Sequence, residues 1–285
     1  MKKRLIPLIC ILTCAVLTAV SCLLLLRRPN EALIRPEGMT VETRFAAPEG
    51  YERVPVPEGS FAAFLRSLPL RRDRSLVHDY TGKPILNTRH DAVLAWDIPS
   101  VDIEQCADVV MHLRAEYLYS SGRYDRIGFH FVSGFYCDFS TWSQGYRVSV
   151  NGNDVKWIRS AQPDASRASF EKYLHTVFQY ASTLSLEKEL LPADKDDLQI
   201  GDCFIIAGSP GHVVIIADII RNISTGELRF LVLQGNMPSV QAHILQNAEE
   251  KALSPWQSAS FEGGVFTAPG GWQCPVENLK RFPEA

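Results

Sequence analysis

Apolar positions recur along this chain in two rhythms, and the clearer one is helical. In "DIEQCADVVMHLRAEYLYSSG", residues 102 to 122, Ile103, Cys106, Val110, Leu113 and Tyr117 return every three or four positions. That spacing places them on one face of an α-helix. Ser100 or Asp102 supplies a cap, Glu104 stands in the first turn, and Gly122 lies where a helix ends. Cys106 is therefore expected to face inward near a helix N-terminus. A second long helix is predicted in "SFEKYLHTVFQYASTLSLEKEL", with Phe170, Tyr173, Leu174, Val177, Phe178 and Ala181 inward. A short one follows Ser60, with Phe61, Phe64, Leu65 and Leu68 on one face and Pro69 as its stop.

The other rhythm is that of strands. "HDAVLAWDI" (90 to 98) has the continuous apolar run of a buried strand, and "RIGFHFVSGFYCDF" and "YRVSVNGNDVKWI" read as paired strands, the latter turning at "NGND". "GDCFIIAGSPGHVVIIADI", residues 201 to 219, predicts strands at roughly 203 to 207 and 212 to 220. With "FLVLQGNM" the stretch 203 to 236 becomes an antiparallel meander. Helix, strands, helix and meander in that order predict an α+β domain over residues 51–285, after a Pro-, Gly- and Glu-rich linker at 29–50.

Residues 1–28 stand apart. A basic "MKKR" precedes the uncharged "LIPLICILTCAVLTAVSCLLLL" (5 to 26), long enough to span a hydrocarbon core of roughly 30 Å and ordered like a secretory signal. "LTAVSC" is similar to a bacterial lipoprotein box, which makes Cys22 a candidate for lipidation. The "LLLL" beyond it favours an uncleaved anchor. Either outcome ties the domain to a membrane and puts it outside the cytoplasm, in a bacterial cell envelope. The 285 residues carry a net charge of -3, with no basic run beyond residue 28, which argues against nucleic acid as a partner. The cysteines of the domain, Cys106, Cys137, Cys203 and Cys274, are too widely spread for a disulfide framework.

Candidate chemistry begins at His212, the first residue of a strand after the Gly-Ser-Pro-Gly turn. A ring at a strand mouth can face a cleft and take a proton, although a merely solvated strand end looks the same in sequence. It needs a nucleophile, and Cys106 at a helix N-terminus has the environment that favours thiolate. A cysteine on an apolar helix face is also ordinary core. Gln234, ending "FLVLQ" on the next strand, is placed to orient the ring, with Asn236 as second choice. His212, Asp218, His243 and Cys203 lack the close spacing of a metal site, and no phosphate loop, dinucleotide fingerprint or serine elbow is present. No cofactor and no metal is expected.

The order of these parts, and "IGDCFIIAGSPGHVVIIADI" itself, resembles the NlpC-type branch of the papain-like cysteine peptidases. That resemblance implies a papain-like fold, with a helix packed on an antiparallel sheet. It makes Cys106 the nucleophile, His212 the base and Gln234 the orienting residue, acting on a cell-wall peptide or related amide. Here "EQCAD" replaces the branch's usual Asp before and Ser-Gly after the cysteine. "GYERVPVPEGSFAAFLRSLPL", "QCADVVMHLRAEYLYSSGRYD", "SPGHVVIIAD" and "ALSPW" are similar to a bacterial family of unknown function, number 4846, found mainly in Bacteroidetes. It brings an envelope setting but no established activity. The expectation is an envelope-tethered thiol hydrolase, an amidase or peptidase. The alternative is a non-catalytic envelope protein binding a peptide, glycan or protein partner in the equivalent cleft, lined by "FHFVSGFYCDFSTWSQGY".

Overall fold

The apolar run after His212 becomes the central strand of the fold, buried without a break from Val213 to Ile220. In the computed structural model, which describes residues 28–283, it belongs to a nine-stranded sheet. In chain order the strands are β1 (Tyr51–Arg53), β2 (His90–Val93), β3 (Leu191–Pro192), β4 (Cys203–Ile206), β5 (His212–Asn222), β6 (Leu228–Gln234), β7 (His243–Leu245), β8 (Gln257–Ser258) and β9 (Leu279–Arg281). Their spatial order is β2-β7-β6-β5-β4-β9-β3, with β1 added to β5 and β8 to β6, every pair antiparallel. The expected meander is β4, β5 and β6. The predicted anchor and Cys22 lie outside the described residues, and among the described residues no helix is long and apolar enough to cross a membrane.

Side chains alternate across a strand, so β5 serves two cores. Val213 and Ile215, with Cys203, Ile205, Leu233 and Ile244, face the helices. Val214 and Ile216, with Phe204, Phe230 and Val232, face the opposite layer, closed by Phe261 and Phe266. The helices are α1 (Val41–Arg44), α2 (Phe61–Ser67), α3 (Cys106–Ser120), α4 (Phe139–Ser143), α5 (Arg167–Tyr180) and α6 (Thr183–Glu189). Helices and antiparallel strands together make the α+β class expected. Leu33, Ile34, Val41 and Phe45, from the segment expected as a linker, are buried in the helix-side core.

Three local expectations are corrected. Helix α3 starts at Cys106, not near residue 102, and Gln105 occupies its N-cap position. Asp102 instead accepts hydrogen bonds from the Ser239 backbone N–H (2.7 Å) and hydroxyl (3.0 Å), tying the approach loop to the sheet. The second long helix is two, because Ala181 is extended and the Ser182 side chain accepts from Leu184 N–H to start α6. A hydroxyl that caps competes with helix continuation, and apolar spacing does not register this. Strand β2 ends at Val93, since beyond it Ala95 N–H turns to the Pro69 carbonyl.

One carboxylate interrupts the apolar core strand. Asp218 sits at a register shift of β5 against β6 and is fully buried. Its Oδ2 accepts from Arg53 Nε of β1 (2.7 Å), and its Oδ1 from Arg66 Nε of α2 (2.6 Å) and Ile219 N–H (2.8 Å). Removing one partner of such a buried arrangement leaves uncompensated charge. Asp218→Asn is expected to lower the unfolding free energy by about 3 to 5 kcal/mol in urea titration. Breaking the exposed Lys156–Asp154 pair is expected to change it little.

Candidate functional site

Helix α3 reaches the sheet where β5 begins and β6 ends; Gly235 permits that approach, and Gly211 permits that of α6. A Cβ on Gly235, just after β6, would stand 2.6 Å from Val109 Cγ2 and 3.1 Å from the Gln105 carbonyl oxygen. A Cβ on Gly211, just before β5, would meet Thr183 Oγ1 at 2.2 Å and the Ile206 oxygen at 2.8 Å. Cys106, the first residue of α3, is thereby pressed against the start of β5. The N–H groups of Val213, Ala107 and Cys106 itself favour its thiolate. Burial nevertheless pushes the thiol pKa up, with the Asp108 charge adding to it and these N–H groups opposing it. At 7% exposure, lost hydration outweighs the helix terminus.

Across the sheet runs a row of polar side chains. His212 Nε2 is 3.0 Å from Gln234 Oε1, Gln234 Nε2 is 3.2 Å from His243 Nε2, and His243 Nδ1 is 2.9 Å from the Gln241 carbonyl oxygen. Carbonyl acceptance fixes every proton in this row. The Gln241 oxygen takes the His243 Nδ1 proton, so His243 Nε2 is a lone pair that accepts from the Gln234 amide. Gln234 Oε1 must then accept from His212 Nε2–H. His212 is left with Nδ1 as its free lone pair. The row exists because Gln234 and His243 are direct register partners while His212 lies on the same face one strand over. Its ring meets Trp272 edge-on, 4.8 Å between centroids. Burial lowers the His212 pKa, against the Gln234 bond, and lowers that of fully buried His243 to about 4.

The structure thus joins His212 and Gln234 as the sequence suggested and brings Cys106 to the same strand end. Among the described residues no hydrogen bond joins the Cys106 sulfur to the His212 ring. The pleat is the reason, because it turns Val213 under α3 and the His212 ring toward Trp272. Asn236 is exposed, accepts from Met237 N–H, and stands outside the row. Cys203 is fully buried with its thiol on the Gly201 oxygen, and Asp218 is held by its two arginines. Sequence reasoning missed His243 and Trp272, whose roles depend on register and on a distant loop. It also missed Asp108, whose Oδ2 accepts from Gln105 N–H while its buried Oδ1 has no partner. Burial, with the Glu104 charge, pushes that carboxyl up to about 8. Cys106, Asp102, Asp108, Thr183, Gly211 and Met237 line a cavity of about 470 Å³ that carries no lysine or arginine among the described residues.

A family model described as "Domain of unknown function (4846)" matches residues 41–281. No curated protein and no solved structure matches the chain.

The row predicts a pH dependence of stability. The His243 pKa is depressed from about 6.5 in the unfolded chain to about 4 when folded. Below pH 6.5 the unfolded state binds a proton that the folded state refuses, so this residue withdraws stability as pH falls, by about 3 kcal/mol at pH 4. Asp108 and Glu189, with raised values, act in the opposite direction. The measurement is therefore a difference: His243→Gln is expected to lose less unfolding free energy than the natural chain between pH 7 and pH 4. Equal losses would remove the assignment.

Proposed function

The chain belongs to this family, whose description carries no activity, and from its own residues we propose that it is a thiol hydrolase acting on amides. Cys106 is the nucleophile, His212 the base and Gln234 the orienting residue, in a papain-like arrangement. The observation that carries the reading is the His212–Gln234 bond. It commits Nε2–H and leaves Nδ1 as the one ring nitrogen able to take a proton, at the strand end against which the Cys106 thiol is packed.

With the thiol pKa raised and the imidazole pKa lowered by burial, the resting pair is neutral. The base then acts during attack rather than before it. In this reading the His212 ring turns from Trp272 to the sulfur as substrate binds, and the sulfur bonds to the carbonyl carbon as its proton passes to His212 Nδ1. The Cys106 backbone N–H supports the developing oxyanion. Collapse of the tetrahedral adduct breaks the C–N bond, His212 returns the proton to the leaving amine, and a thioester remains. Water, deprotonated by the same ring, then releases the acid and the thiol. A cavity with the Asp102 carboxylate on its wall and, among the described residues, no lysine or arginine favours a neutral or positively charged substrate. A cell-wall peptide or related amide suits an envelope-tethered enzyme.

The buried thiol, with no bond to the ring, favours a second reading: a non-catalytic envelope protein that holds a peptide, glycan or protein partner in this cleft.

Alkylation by iodoacetamide, followed by peptide mass mapping, separates the two readings. For a hydrolase, Cys106 of the folded domain reacts before Cys137, Cys203 and Cys274. Its rate climbs as pH passes about 8.5, where an ordinary thiol levels off. His212→Ala is expected to slow it about 10-fold or more at pH 7, and Cys106→Ser to abolish release of amino groups from cell-wall peptides. If Cys106 reacts only in denatured protein, the hydrolase reading fails and the binding reading remains.

A further inference from the structure

Eight residues beyond Cys106, about 12 Å along α3, lies a charge that the cysteine site does not use. Arg114 is 8% exposed. Its guanidinium stands 5.1, 5.6 and 5.2 Å from the ring centroids of Phe61, Tyr117 and Phe282, and its Nη2 donates to the Pro283 carbonyl oxygen at 3.0 Å. Among the described residues no carboxylate pairs with it. Buried cations are normally matched by an anion, and aromatic faces replace only part of that. Burial lowers its pKa to about 10, and repulsion from Arg123 and Arg126 works in the same direction.

Arg114 and Arg126 line one cavity of about 280 Å³. Among the described residues Arg126 also has no ion pair. The acid on that wall, Glu189, is engaged by His130, whose backbone N–H and Nδ1 both approach its Oε1. Tyr136 lies across Gly128, where a Cβ would come 2.1 Å from its hydroxyl, so a neutral donor stands on the same wall. We propose that this cavity is a binding site for an oxyanion, a phosphate-type group or a carboxylate, seated between Arg114 and Arg126. Two guanidiniums offer the forked donors that such a group accepts, and the volume leaves room for a few attached atoms. The site is separate from the thiol cleft and does not depend on its chemistry.

Calorimetric titration of the full chain with sodium sulfate, at ionic strength held constant with sodium chloride, tests it. Saturable binding of one sulfate is expected. Arg126→Ala, at an exposed position that leaves the core intact, should weaken it about 10-fold or more, while Arg159→Ala, outside the cavity lining, should leave it unchanged. Parallel titrations with phosphate and with acetate separate the two sources of the anion. Binding of acetate but not sulfate, lost in Arg126→Ala, assigns the site to carboxylates. Absence of saturable binding by all three anions, or binding that Arg126→Ala leaves unchanged, overturns the proposal.

Discussion

Both faces of β5 have to be kept from water, and most of the molecule is arranged to do so. Eight consecutive residues from Val213 to Ile220 are buried, a burial that a sheet with one solvated face does not produce. On one side the covering layer includes α3 and α2. On the other it is Phe261 and Phe266, in ring contact with Phe204 and Phe230 of the sheet. The helix that carries Cys106 lies where it does because the strand beneath it needs an apolar cover. The thiol reaches the strand's mouth as a consequence of packing.

A strand buried on both faces admits polar side chains only where the ladder is irregular or ends. Asp218 occupies the irregularity and is matched by two arginines. His212 and Gln234 occupy the ends, and His243 completes the row from β7. In a medium of low dielectric each of these groups requires a partner, and the partners propagate. A backbone carbonyl at Gln241 thereby determines which nitrogen of His212, three hydrogen bonds away, is free to accept a proton. The cysteine site, the ion cluster and the Arg114 cavity share one origin: polar groups drawn into apolar surroundings by the elements that carry them.

Much of this was legible along the chain. The three- and four-residue recurrence around Cys106, the apolar runs after His212 and before Gln234, and the Ser60 cap all follow from local spacing and appear in the structure as α3, β5, β6 and α2. The failures are local competitions that spacing does not register. Ser182 breaks a helix whose apolar face continues across it. Asp102, read as a cap, is taken by Ser239, 137 residues away in sequence. Cys106 was expected near a helix N-terminus and stands at its first residue, yet the inference that this favours thiolate was reversed by burial.

The sequence by itself determined the class of fold, the helix with a cysteine at its head, and the strand with a histidine at its mouth, because periodicity and capping are properties of neighbouring residues. Tertiary structure decided the pairing of Gln234 with His243, the turn of the His212 ring toward Trp272, the raised pKa of the thiol, and the burial of Arg114 among aromatic rings. These depend on register and on desolvation by residues far away along the chain. Electrostatic energy inside a protein is set by what surrounds a group in space, and no local pattern of residues carries that information.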